Sequence, residues 1–294
     1  MKAARRFGKG KVGRVFLFAA ALLLAAAFLL PTLLTLADSF FDSQEIRDSY
    51  GLIFEEEHYV TRLVELKFLP ERLNLTQYSE LLRAKPDYFM KLWNSVVLVV
   101  PIVLFQMAVA SLAAYGFARW RSRSRELVFF VYIILMLMPY QVTLVPNYLV
   151  AHWTGILDTR WAVWLPAVAS PFSVYLLTKN MRRISSSYVE AAKLDGAGEW
   201  KIFFRIFLPM SRSILWSVLI LVFIDYWNMV EQPLILLQDT SLHPLSVYLG
   251  SINKNEIGVA FAAATLYMIP PLLLFLTRQK ELIAGIVSYG GLKG

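Results

Sequence analysis

Long uncharged apolar runs alternate with short polar stretches along the whole chain. Val15 to Ala37, Leu92 to Ala118, Leu127 to Ala151 and Ile257 to Thr277 contain no charged residue. Trp161 to Thr178 is shorter and also uncharged, while Ser213 to Val230 contains one acid, Asp225. A hydrocarbon core about 30 Å thick is crossed by roughly 20 residues of helix. The pattern therefore predicts an all-α, polytopic membrane protein with six transmembrane helices and both ends of the chain on one side. The first run follows Lys and Arg residues, as a secretory signal does. It is longer than a signal's apolar region and lacks a small-x-small cleavage site before Asp38, so it is read as a retained span.

Charge assigns the sides. Residues 1–14 carry six basic residues and no acid, and the connections at 119–126 and 179–212 and the tail carry more, for 20 of the 29 Lys and Arg against five of the 21 acids. By the positive-inside rule this side is cytoplasmic, which places both termini there. The predicted organisation is a basic cytoplasmic N-terminus at 1–14, a six-helix membrane domain at 15–278 and a cytoplasmic tail at 279–294. An external excursion covers 38–91, with Glu55, Glu56 and Glu57 in a row, and a cytoplasmic loop covers 179–212.

Composition narrows the chemistry. With 57% hydrophobic and only 17% charged residues the chain is neither disordered nor an ordinary soluble enzyme. The net charge of +8 follows from topology, because the basic residues sit in short clusters between apolar runs, and nucleic acid is not expected as a partner. Zero cysteines exclude disulfides, thiolate metal sites and thiol nucleophiles. His58, His152 and His243 are far apart in sequence and give no metal triad, so no catalytic or metal-binding residue is expected. A P-loop is also absent from the sequence, and Gly8-Lys9-Gly10-Lys11 reads as a basic membrane-flanking tail.

The loop between the fourth and fifth runs is the most informative segment. Ser187-Tyr188-Val189-Glu190 fits a capping box, which predicts a short helix through Ala191, Ala192 and Lys193. Gly196 is placed to end that helix in the left-handed conformation, and Ala197 to Phe207 has the spacing of a second helix before Leu208-Pro209. Pro209 is expected to set the entry into span five.

Glu190-Ala191-Ala192, three residues, Gly196, nine residues, then Ile206-x-Leu208-Pro209 resembles the EAA signature of ABC importer permeases, with Asp195-Gly196-Ala197 at its centre. Phe68-Leu69-Pro70 to Leu75, Tyr78, Leu82, Asn94-Ser95, Pro139-x-Gln141, Pro146, Leu157-Asp158-Thr159, Trp227-Asn228, Pro233-Leu234 and the closing Gly290-Gly291-Leu292-Lys293-Gly294 are similar to carbohydrate-importer permeases of the maltose-permease kind. The resemblance covers Leu66 to the C-terminus together with a first span of the expected type.

The resemblance implies a subunit of the bacterial inner membrane that takes a sugar from an external solute-binding protein. It would work with a second permease and with two ATPase subunits that carry ATP and Mg, no cofactor residing on this chain. Glu190, Ala191, Ala192, Asp195, Gly196, Ile206, Leu208 and Pro209 would form the coupling helix pair seated in an ATPase groove. Ser185 stands where the family often has Pro, and Ser187 where it often has Glu. Met229 replaces an acid that often follows Trp-Asn, so no pore acid carries over to that position.

A charge in mid-membrane costs about 2.5–3.5 kcal/mol on insertion scales, so Asp225 should face protein or water. Asn228 and Gln232 would share its helix face at i+3 and i+7, and with Trp227 they form either a sugar-contacting set or an interhelical hydrogen-bond cluster. An ion-gradient carrier, an intramembrane hydrolase or transferase, and an ABC permease for a non-sugar solute are the alternatives. The first two leave the motif from Glu190 to Pro209 without a role.

Overall fold

The computed structural model describes residues 11–54, 67–120, 122–252 and 256–290. Most of the basic segment 1–14, the acids Glu55 to Glu57, His58 and the closing Gly291 to Gly294 lie outside the described residues. Within them every regular element is helical. Four helices are long and apolar enough to cross a membrane, or up to six if each of two bent pairs counts as one span.

The chain divides into two compact units, residues 1–86 with 252–266 and residues 87–251 with 267–294. The first holds α1 (Lys11–Asp38), α2 (Ser43–Phe54), α3 (Thr76–Ala84) and the start of α15 (Ile257–Gly290). Most apolar residues of α1 from Val15 to Leu36 are exposed, a surface suited to lipid rather than water. Its end is tied down by polar contacts: Tyr50 Oη donates to Asp38 Oδ2 at 2.5 Å, and Ser39 Oγ and Tyr78 Oη are 2.7 Å apart. Lys85 pairs with Glu256 at 2.7 Å.

The second unit starts with α4 (Pro86–Arg119), which contains the expected Leu92 to Ala118 run. The expected third span is not one straight helix. α5 (Arg123–Met136) and α6 (Tyr140–Trp153) meet at 104° across Leu137–Pro139. Pro139 has no N–H to continue the helix, and its ring pushes Met138 out of the α region. α7 (Arg160–Val168) and α8 (Pro171–Met181) likewise flank Ala169–Ser170 just before a proline, yet together they still pass as one span of 22 residues.

Beyond them come α9 (Ser186–Leu194), α10 (Glu199–Ile202), a π-turn over Phe203–Phe207, α11 (Leu208–Met210), α12 (Arg212–Trp227), α13 (Glu231–Leu236) and α14 (Leu245–Leu249). Leu98 and Ile102 of α4, Val174 and Leu177 of α8, Ile202, Val218 and Trp227 form the centre of its core, all buried.

Candidate functional site

The loop at 179–212 folds into an elbow whose inner side is packed and whose outer side is bare. Ser185 is extended, and its Oγ accepts from the Ser187 N–H at 3.3 Å, so Ser185 caps α9. The expected capping box is thus displaced: the helix begins before Ser187, and Glu190 faces outward instead of closing back on the first turn. Ser185, which stands where the resembling family often has proline, thus starts the helix through its side-chain oxygen. Val189 is buried and Ala192 is packed against the core, while Tyr188, Glu190, Ala191, Leu194 and Asp195 are exposed.

The turn after α9 is the one the sequence predicts. Gly196 has φ +72°, its N–H donates to Lys193 O at 3.0 Å, and the Ala197 N–H donates to Ala192 O at 2.9 Å. This pair of bonds is a Schellman close, which needs a left-handed residue at Gly196. The second helix then widens. The Leu208 N–H reaches back five residues to Phe203 O. Pro209 lacks an N–H and crowds the carbonyl four residues earlier, and a π-turn makes that room. The sharp bend falls not at Pro209 but at Ser211, where the stretch Glu199–Met210 and α12 meet at 76°.

Glu199 fixes the elbow to α4. Its carboxylate accepts from the Tyr115 hydroxyl, from Arg119 at 3.3 Å and from Lys193 at 3.2 Å. Tyr115 also packs edge-on to Phe207 with ring centroids 4.8 Å apart. Arg182 anchors the other side, donating to Glu126 at 2.7 Å with its guanidinium 4.6 Å from the Phe129 ring. Neither Glu199 nor Arg182 stands out in the sequence. The usable signal for Glu199 was its place in the first turn of a helix just after Gly196-Ala197-Gly198.

The four expected pathway residues divide into pairs. α12 ends at Trp227, and α13 starts only at Glu231, so the helical register that would align Asn228 and Gln232 with Asp225 is broken. Asp225 and Gln232 nevertheless line one cavity of about 510 Å³, together with Tyr140, Thr143 and Asn147 of α6 and Ser170 at the junction of α7 and α8.

Trp227 and Asn228 instead join α15. The Trp227 ring is buried between Phe223 and Tyr267, with centroids 5.3 and 5.6 Å away. Trp227 Nε1–H donates to the Tyr267 carbonyl at 3.2 Å, and Tyr267 Oη donates to Trp227 O at 2.6 Å and to Asn228 Oδ1 at 3.0 Å. Pro271, four residues after Tyr267, has no N–H for that carbonyl, and the indole replaces it. Trp227→Phe should therefore lower the melting temperature of the detergent-solubilised protein, at a cost of about 1–3 kcal/mol for the orphaned carbonyl. Thermal unfolding followed by fluorescence size-exclusion chromatography checks this, and an unchanged melting temperature would refute the bond's importance.

At the opposite end from the elbow, a polar clamp holds the connection before α14. Asp158 adopts φ +61°, its N–H donates to Leu236 O at 3.0 Å, and its Oδ1 accepts from the Asp239 N–H at 2.8 Å. Asn94 donates to Ser241 O at 2.6 Å, and Lys91 donates to Thr240 O. The Ser241 hydroxyl and N–H both donate to Asp239, holding its carboxyl below the usual range. Among the described residues no group of three or more His, Cys, Asp or Glu side chains could hold a metal ion.

Residues 106–282 match the family described as binding-protein-dependent transport system inner membrane component. The lactose transport system permease protein LacG of Rhizobium radiobacter is 30% identical over 70% of this chain and 76% of that protein. The melibiose/raffinose/stachyose import permease protein MelC of Bacillus subtilis (strain 168) is 33% identical over 68% of this chain and 75% of that protein. A chain from the crystal structure of a bacterial ABC transporter involved in the import of the acidic polysaccharide alginate has the same fold. It superposes with a TM-score of 0.74 at 21% identity, covering 95% of this chain and 99% of that one.

Proposed function

Because the chain belongs to the family of binding-protein-dependent transport system inner membrane components, we propose that it is the membrane-spanning permease subunit of an ATP-driven importer for a carbohydrate. The substrate class rests on the relatives, which are permeases for lactose and for melibiose, raffinose and stachyose. In this reading the chain crosses the bacterial inner membrane six times, each bent pair making one passage, with residues 1–14 and 279–294 cytoplasmic. Residues 15–278 form the permease domain. A solute-binding protein delivers the sugar on the outside, and a second permease completes the pathway.

The observation that carries the mechanism is the elbow. Its inner face is pinned by Glu199 to Arg119, Tyr115 and Lys193, whereas Tyr188, Leu194, Trp200 and Phe204 are exposed by 53, 90, 68 and 58%. A rigidly based apolar ridge outside the lipid calls for a groove on another protein. Two ATPase subunits, which hold ATP and Mg, supply that partner, and closure of the ATPase pair pushes the ridge. The push passes through Glu199 and Phe207 to α4 and through the Ser211 bend to α12, and the cavity beside Asp225 opens alternately to the two sides.

Affinity purification of the tagged chain from native membranes in mild detergent tests the assembly. A Walker-motif ATPase and a second permease should co-purify with the wild type and be lost from a Glu190→Arg/Gly196→Val double variant. A stable preparation of this chain alone, with ion-driven uptake, would overturn the reading.

A further inference from the structure

The cavity between α6, α8, α12 and α13 sits at two interruptions of the backbone, Leu137–Pro139 and Ala169–Ser170. Irregular backbone at membrane depth persists where it is buried in protein or lines a water-filled space. Against an apolar wall that includes Leu135, Met138 and Phe172, the lining sets hydroxyls and amides from Tyr140, Thr143, Asn147, Ser170, Tyr226 and Gln232, and its volume of about 510 Å³ suits a small hydroxylated molecule. Its charge is one-sided. Asp225 lines the wall, and among the described residues no Lys, Arg or His does. A second carboxylate stands nearby on α13, where Glu231 accepts from Gln141 of α6 at 3.3 Å.

We infer that this cavity is a charge-selective substrate subsite that accepts uncharged or amino-substituted sugars and rejects uronic-acid and phosphorylated ones, with Asp225 as the specificity-determining residue. The inference rests on the carbohydrate-importer reading and adds the charge class to it. The hydroxyls and amides bind sugar hydroxyls whatever the sugar's charge. Discrimination comes from Asp225, because a like charge roughly 6 Å away at an effective dielectric of about 20 is disfavoured about 100-fold. An ammonium group on a sugar is favoured by the same field.

The chain contains no cysteine, so a single one introduced into it, followed as labelling of this chain after its separation from its partners, reports the field directly. Thr143→Cys, introduced into the assembled importer in membrane vesicles, is reacted with the anionic reagent methanethiosulfonate ethylsulfonate. In parallel it is reacted with the cationic ethyltrimethylammonium analogue, and each rate is divided by that for a free thiol in solution. With Asp225 present the cation should be preferred by tens of fold or more. Asp225→Asn should bring the preference below a third of that value, and Asp225→Glu should keep it while showing that the site tolerates substitution.

Equal rates for the two reagents, an unchanged preference in Asp225→Asn, or no reaction with either reagent would overturn the inference. The readout needs no transport, which separates the two claims. Failure of the carbohydrate reading shows as absent binding-protein-dependent sugar uptake with the preference intact. Failure of the inference shows as a lost preference with uptake intact.

Discussion

Replacing Gly196 with valine should abolish coupled sugar uptake while leaving the chain in the membrane at close to the wild-type level. The reason is conformational. A Cβ at Gly196 would have nothing within 4 Å, so space is not the constraint. The backbone, at φ +72°, is in the left-handed region, which costs an ordinary L-residue about 1–2 kcal/mol and is worse for a β-branched one. Valine would pull the residue out of that region and break the two bonds that return the chain to Lys193 and Ala192. α9 would then lose its fixed angle to Glu199, and the exposed ridge would no longer match a groove. Strain of about 1–2 kcal/mol corresponds to a factor of about 5–30, and with the two turn bonds lost as well, uptake below about a tenth of wild type is expected. Gly196→Asn is the control, because asparagine tolerates the left-handed region, and it should retain most uptake. Normal uptake in Gly196→Val would show that this turn does not transmit force.

The second large effect concerns the helix contact beneath the elbow. A Cβ on Gly285 would lie 2.0 Å from Ser217 Oγ and 2.9 Å from Ser217 Cβ, and the Ser217 hydroxyl also donates to the carbonyls of Ser213 at 2.9 Å and Glu281 at 3.1 Å. α12 and α15 approach closely there because both residues are small, the usual device for helix packing in lipid. Arg278, with its guanidinium 4.2 Å from the Trp216 ring, closes the same seam. Gly285→Leu should force the helices apart at an overpacking cost of about 1–3 kcal/mol, seen as a clear fall in melting temperature and in membrane yield. Gly285→Ala combined with Ser217→Gly should be less damaging than the two single changes summed, because the clashing atoms are gone. Additive losses would contradict the close contact.

The parts of this architecture that are legible in the sequence are those that single residues dictate. Uncharged runs marked the membrane helices because lipid admits little else, and Gly196 announced its turn because few other residues adopt that backbone. Prolines marked interruptions, but their consequences depended on surroundings. Pro139 broke a run into two helices at 104°, whereas Pro209 was absorbed by a π-turn and left the bend to Ser211. The cap moved from Ser187 to Ser185 because three consecutive serines at 185–187 offer equivalent hydroxyls, and packing of Val189 chooses among them.

The pathway residues were harder to read, since helical spacing holds only while the helix continues. α12 stops at Trp227, so Trp227 went to the carbonyl freed by Pro271 and Gln232 reached the cavity from a separate helix. Glu199 was hidden because its three partners come from α4 and α9, and no local pattern joins them.

Photo-crosslinking from the tip of α9 tests most directly whether this helix seats on a separate ATPase. Leu194, 90% exposed at the end of α9, is replaced by a photoreactive amino acid in the full importer and irradiated in native membranes. A covalent adduct with a Walker-motif ATPase, reduced when the probe sits instead at the exposed Leu23 of α1, is the predicted result. Irradiation that yields only lipid adducts or uncrosslinked chain, in membranes where the importer is active, would contradict the account.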